Sequence, residues 1–202
     1  MEQQGLTLYH AIPSRGFIVH WMLEELDVTY NTVILDIEAE EHKKTEYLAV
    51  NPMGKIPSLM HGDKLVTESA AIVMYLAESF PEAGLEVYAS SPLRNEYLRW
   101  FFFAPGTMEP AIISKAMGFD SQEYKPFADI ESVASTLVAA LEGRAFIVGD
   151  TFTAADVVIG SAINWGLNLM PVLPKHPVLT DYWARLEKRP AWQKVAKTMG
   201  ET

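Results

Sequence analysis

Ser14 follows a β-prone run, Leu6 to Ile12, and precedes a helical pattern from Phe17 to Leu26. A hydroxyl between a strand and a helix has two uses. It can cap the helix by accepting a backbone N–H, which contributes about 1 kcal/mol. It can also serve a ligand, because a helix N-terminus carries about half a positive charge and unpaired N–H groups that favour an anion. A serine hydroxyl aimed at a bound thiolate would add a charge-assisted donor there. Arg15 adds positive potential beside it, or is solvated. Glu68-Ser69 opens a second helix in the same manner. Ser69 either caps it or, with the N–H groups behind it, holds a ligand carboxylate, and Glu68 could hold an ammonium. Ile56-Pro57 follows Gly54-Lys55 at the start of a strand. A cis bond there would expose the Ile56 N–H and C=O to a peptide-like ligand, and a trans bond is the default. Thr153-Ala-Ala-Asp156 is a capping box with Asp in the acidic position, and Phe152 with Val157 makes a hydrophobic staple. Its expected task is to nucleate a buried helix.

The elements that carry these residues fall into two halves. In the first, Leu6–Ile12, Val28–Ile37, Ile56–Met60 and Lys64–Thr67 read as strands. Phe17–Leu26, the charged segment Glu38–Val50 and Ala70–Phe80 read as helices. The order βαβα followed by ββα predicts a four-stranded mixed sheet with flanking helices. A turn-rich stretch at 82–91 separates residues 1–81 from an all-α half over 92–202. Its predicted helices are Leu93–Phe103, Glu109–Met117, Tyr124–Leu141, Ala154–Leu167 and Val178–Lys188.

Composition removes whole classes of chemistry. The 202 residues include no cysteine, so a thiol nucleophile, disulfide framework or zinc-thiolate site is impossible within the chain. The five histidines show no metal-ligand spacing. A formal net charge of -10 argues against nucleic acid or an anionic membrane as a partner. The uncharged stretch between Asp156 and Lys175 contains Asn164, Asn168, Pro171 and Pro174, which fits a core helix rather than a membrane span. With no signal-like N-terminus, the expected compartment is the cytoplasm.

Three motifs in this order resemble the cytosolic glutathione transferase family: Asn51-Pro-Met-Gly-Lys-Ile-Pro57, Thr67-Glu-Ser-Ala-Ala-Ile72 and Thr153-Ala-Ala-Asp156. Leu23-Glu-Glu-Leu26 looks like bacterial and fungal members, and the likeness spans nearly the whole chain. The resemblance implies a thioredoxin-like N-terminal domain, an all-helical C-terminal domain and a homodimer. It implies glutathione as co-substrate, no metal, and a small hydrophobic electrophile as the second substrate. Ser14 falls where serine-type, theta-like members place the hydroxyl that activates glutathione. His42 and Lys55 look like the clamp on the glycyl carboxylate. Ile56, before a cis Pro57, looks like the partner of the cysteinyl unit, and Glu68 with Ser69 like the γ-glutamyl site. Arg15 would add to the same anion-binding surface. Gly16 and Phe17 depart from the small polar and variable residues often found after this serine. The electrophile would meet Phe103, Thr107 or Met108, at the end of the first long C-terminal helix. The implied activity is transfer of glutathione to an alkyl or aryl electrophile, as in detoxification. Two alternatives are glutathione-dependent reduction of disulfides or peroxides and a non-catalytic binding module, since fold does not fix function.

Overall fold

A computed structural model describes residues 5–119 and 127–200. It contains four strands, β1 (Leu6–His10), β2 (Tyr30–Ile34), β3 (Ser58–His61) and β4 (Lys64–Thr67), in the order β2-β1-β3-β4. β2 runs parallel to β1, whereas β3 and β4 are antiparallel to their neighbours. This is the mixed sheet that the element order predicts. The alternation of Leu6, Leu8 and His10 with Thr7 and Tyr9 puts the first three side chains in the core. β2 is an edge strand, and four of its five residues are exposed.

Helix α1 (Gly16–Leu26) and helix α3 (Ser69–Ser79) pack against each other. Their apolar stripes, Ile18, Val19, Met22 and Leu23 on α1 and Ile72, Val73 and Leu76 on α3, are buried. Asp27 ends α1 in a left-handed conformation, with its N–H donating to the Glu24 carbonyl. The helix expected over Glu38–Val50 is broken. It forms a single 3-10 turn at Glu41–Lys43 and a four-residue helix, α2 (Thr45–Leu48). Lys44 between them is extended, and of this whole segment only Tyr47 is buried. With no apolar stripe to bury, helix propensity alone did not carry the segment.

The remaining helices are α4 (Arg94–Phe103), α5 (Glu109–Ala116), α6 (Ile130–Leu141), α7 (Ala154–Asn164), α8 (Pro177–Leu186) and α9 (Pro190–Gly200). The expected helix over Tyr124–Leu141 begins outside the described residues, and its described part starts at Ile130. Wide π-helical turns at Ala104–Met108 and Trp165–Leu169 extend α4 and α7. Contacts divide the chain into one unit of Met1–Gly84 with Pro190–Thr202 and another of Leu85–Arg189. Helix α9 therefore belongs with the sheet. Its Trp192 stands edge-on to Phe17 and Trp21 of α1, at centroid distances of 5.9 and 5.0 Å, and Lys194 pairs with Glu24 at 3.0 Å.

The capping box of α7 forms as its sequence predicts, with Phe152 and Val157 both buried. Its Asp156 does more than cap. The wholly buried carboxylate accepts from the Ile147 and Thr153 N–H groups and from the Tyr182 hydroxyl, each at 2.8 Å, and from Thr153 Oγ1 at 3.2 Å. One side chain thus joins the loop before α7, the start of α7 and helix α8. Burial pushes this carboxyl up to about 6, against the pull of its donors. Between about 4 and about 6 the folded chain holds a proton that the unfolded chain has lost. The contribution is full below that window and is lost as pH rises through it. Stability should fall with rising pH there, and the slope should flatten in Asp156→Ala. That variant should also lose about 3 kcal/mol by stranding buried donors, as read from urea unfolding at several pH values.

Candidate functional site

The register of the sheet decides which loops meet. Tyr9 pairs with Ser58, and Ser58 with Thr67. The exit of β1, the entry of β3 and the exit of β4 therefore lie at one end of the sheet. The exit of β2 joins them, since Ile34 pairs with His10 and the Leu35 N–H donates to the His10 carbonyl at 2.8 Å. Ser14 and Arg15 follow β1, His42 follows β2, Lys55 to Pro57 precede β3, and Glu68 with Ser69 follow β4. Topology thus carries all eight of these predicted residues to one end, where α1 and α3 both begin. Two positive helix termini open on the same edge.

Ser14 precedes α1 by two residues, and Arg15 between them already has helical backbone angles. The Ser14 hydroxyl does the capping. Its Oγ accepts from the Gly16 N–H at 3.0 Å and from the Ala11 N–H at 3.3 Å. A hydroxyl has two acceptor positions and one donor. Both acceptor positions are taken, so the O–H is left as a donor. The cap reading and the ligand reading are compatible, because capping is what fixes the oxygen. The Ile12-Pro13 bond just before it is cis, and no sequence signal had singled it out.

The segment from Asn51 to Pro57 is held from within. The buried Tyr47 hydroxyl donates to the Lys55 carbonyl at 2.6 Å and bonds Ser58 Oγ at 2.8 Å. The Asn51 amide donates to the same carbonyl at 2.8 Å and to Ser58 Oγ at 3.1 Å, and its oxygen accepts from the Met53 N–H. The Ile56-Pro57 bond is cis. Gly54 has φ +59, and a methyl there would come within 2.9 Å of the His42 carbonyl. Glycine therefore lets the turn carrying His42 close on the residue before Lys55. His42 Nδ1 is buried with no partner among the described residues. Lys43 and Lys44 are paired with Glu40 and Glu41, whereas Lys55 is exposed with no ion-pair partner among the described residues.

Ser69 is the first residue of α3 rather than its cap. Glu68 holds the cap position with φ 68 and ψ 117, and no side chain caps the helix. A non-glycine residue there costs on the order of 1–3 kcal/mol, and such strain concentrates at functional sites. The Glu68 side chain is exposed, and Ser69 is 9% exposed.

The predicted electrophile contacts lie in the second unit. Phe103 ends α4, half-buried and edge-on to Trp100 at 5.2 Å, and Thr107 is half-buried in the following wide turn. Met108 is fully buried, so its side chain is core and presents no surface. Tyr47 and Ser58 are not among the residues the sequence points to, and Asn51 enters only as the first residue of the Asn51–Pro57 motif. Their signal was faint: a lone aromatic in a charged segment and two small polar residues bracketing the glycine-proline turn.

This pairing of a βαβ-ββα sheet unit with a helical unit defines the class of thioredoxin-like glutathione transferase folds. Comparison with known proteins agrees. Residues 4–78 match the N-terminal domain model of glutathione S-transferase, and residues 105–190 match its C-terminal domain model. The chain belongs to the glutathione transferase family. It is 26% identical to glutathione S-transferase GstA of Escherichia coli O157:H7, covering 96% of this chain and 99% of that one. It is 27% identical to glutathione S-transferase F10 of Arabidopsis thaliana, covering 95% and 96%. The structure of transferase URE2P6 from Phanerochaete chrysosporium, in complex with oxidised glutathione, is 27% identical and covers 99% and 98%, with a TM-score of 0.82. Among the described residues no cluster of metal-ligating side chains occurs.

The clamp on the Lys55 loop gives a direct test. Tyr47→Phe removes one donor but keeps the ring beside Tyr9, 5.9 Å away. It should lower stability by about 1–2 kcal/mol in urea unfolding. Gly54→Ala should cost about 1–3 kcal/mol through the positive φ alone, before its contact with the His42 carbonyl is counted.

Proposed function

We propose that this chain is a glutathione transferase in which Ser14 stabilises the glutathione thiolate for attack on a hydrophobic electrophile. The observation that carries the reading is the state of the Ser14 hydroxyl, with both acceptor positions filled and the O–H left to donate. Lys55 and His42 would receive the glycyl carboxylate. The Ile56 backbone, which makes no hydrogen bond among the described residues, would pair with the cysteinyl unit. Glu68 and Ser69, at the start of α3, would receive the γ-glutamyl ammonium and carboxylate. Arg15 adds positive potential to the surface.

The magnitudes suffice without a general base. A free thiol has a pKa of about 8.5, and lowering it by about two units needs roughly 2.7 kcal/mol. A charge-assisted hydroxyl bond supplies about 1.5–3 kcal/mol. A helix N-terminus adds about 0.3–1 kcal/mol, or up to about 2 where partly buried. Ser14 then acts as a donor and never ionises. The thiolate sulfur attacks the electrophile, forming a thioether and expelling the leaving group.

A second reading is supported by the relative that carries oxidised glutathione. The same thiolate could attack a disulfide substrate, giving a mixed disulfide that a second glutathione resolves. Turnover of a disulfide against turnover of an aryl halide separates the two reactions, and calorimetry without glutathione binding would point to a binding module. As in the family, we infer a homodimer, which light scattering in solution tests.

Ser14→Ala should raise the pKa of the bound thiol by about one to two units and cut kcat at pH 7 by about 10- to 100-fold. The KM for glutathione should change less than about threefold, because the removed bond strengthens only with the thiolate. Ultraviolet difference absorbance of the bound thiolate across pH, with steady-state kinetics, measures both. Unchanged turnover would remove Ser14 from the mechanism.

A further inference from the structure

Behind the Ser14 loop lies a buried histidine that the proposed chemistry does not use. His10 ends β1, is 3% exposed, and has its Nδ1 buried without a partner among the described residues. It lines a small cavity of about 10 Å³ together with Ser14, Phe17, His20 and the end of α9. The two N–H groups that fix Ser14 Oγ belong to Ala11 and Gly16. Ala11 is covalently next to His10. Gly16 lies against the His10 side chain, since a methyl there would overlap His10 Cβ and crowd Cγ and Nδ1 of its ring. One donor to the serine oxygen thus rests against this side chain, and the other is the next amide along its backbone.

That side chain is itself fixed. The His10 carbonyl accepts from Leu35, and its backbone pairs with Ile34. Its ring lies 5.7 Å from His20, which in turn faces Glu24 on α1 and the ring of Tyr30 on β2. Lys194 of α9 reaches the same Glu24 carboxylate. Burial first, and His20 second, hold the His10 imidazole down to about 4, so it is neutral at physiological pH. A neutral ring adds no charge beneath the positive end of α1.

We propose that His10 is a positioning residue for Ser14: the Cβ–Cγ–Nδ1 edge of its side chain seats Gly16 and so aims the serine hydroxyl at the ligand sulfur. This rests on Ser14 being the thiolate donor. Asn is the conservative replacement, because its Cβ, Cγ and δ atoms reproduce that edge, whereas Ala removes all but Cβ.

The test compares His10→Ala, His10→Asn, Gly16→Ala and Ser14→Ala by bound-thiol pKa, kcat and KM, with thermal melts as a control for folding. His10→Ala should raise the bound-thiol pKa by about one unit and lower kcat about tenfold, with KM for glutathione within about threefold. His10→Asn should return kcat to within about threefold of the parent. Gly16→Ala, which presses on the same contact from the other side, should shift the thiol pKa in the same direction and stands in if His10→Ala does not fold. A purely structural role would lower the melting temperature and glutathione affinity with no shift of thiol pKa in the folded variants, and that result overturns the proposal. So does His10→Asn matching His10→Ala. If Ser14→Ala leaves the thiol pKa unmoved, the reading of Ser14 itself has failed. If Ser14→Ala moves it and both His10→Ala and Gly16→Ala do not, only the role of His10 has.

Discussion

Ser58 ties the sheet to the loop that precedes it. Its backbone pairs with Tyr9 on one side and Thr67 on the other, which brings the ends of β1, β3 and β4 into line. Its hydroxyl, fully buried, bonds to Tyr47 and Asn51, and those two side chains hold the Lys55 carbonyl. The positions of Lys55 and Ile56 relative to Ser14 and Glu68 follow from this junction. A polar cluster sealed from water is costly when incomplete and rigid when satisfied. Here each hydroxyl and amide in it has a partner, and rigidity is what a binding edge needs.

The site works against the charge of the molecule as a whole. A net charge of -10 repels a peptide-like anion at long range. At short range the balance is local. Glu40 and Glu41 are occupied by Lys43 and Lys44, and Lys55 stands unpaired among the described residues. The two helix termini add a field that salt screens little where it is partly buried. The strained backbone of Glu68 belongs to the same arrangement, since it turns the chain from β4 into α3 within one residue.

Much of this was legible in the sequence because periodicity survives tertiary context where burial is strong. The apolar spacing of α1 and α3 and the capping box at Thr153 are seen in the structure where their patterns put them. The polar segment Glu38–Val50 departs from its expected helix because propensity without a buried stripe is weak. Helix α9 lies beyond the last predicted helix, although Trp192 and Val195 are three residues apart and both buried. Its partner surface, Phe17 and Trp21, lies far away along the chain, and a single sequence does not display such pairings. The eight residues at the end of the sheet could be named, Ser14 from its strand-to-helix junction and His42 only through the family resemblance, but their convergence depends on strand register. The role of His10 depends on what touches it, and a histidine closing an alternating strand carries no mark of that.

The membership of α9 in the sheet unit sets an order of events during synthesis. Residues 190–200 leave the ribosome only after all of Leu85–Arg189 has been made. Until then the four strands and α1 are present without Trp192, and the aromatic face of Phe17 and Trp21 has no cover from α9. The nascent sheet unit therefore lacks that cover until a second unit with its own core has been made. The sheet unit that would handle the ligand is begun before that second unit and completed after it.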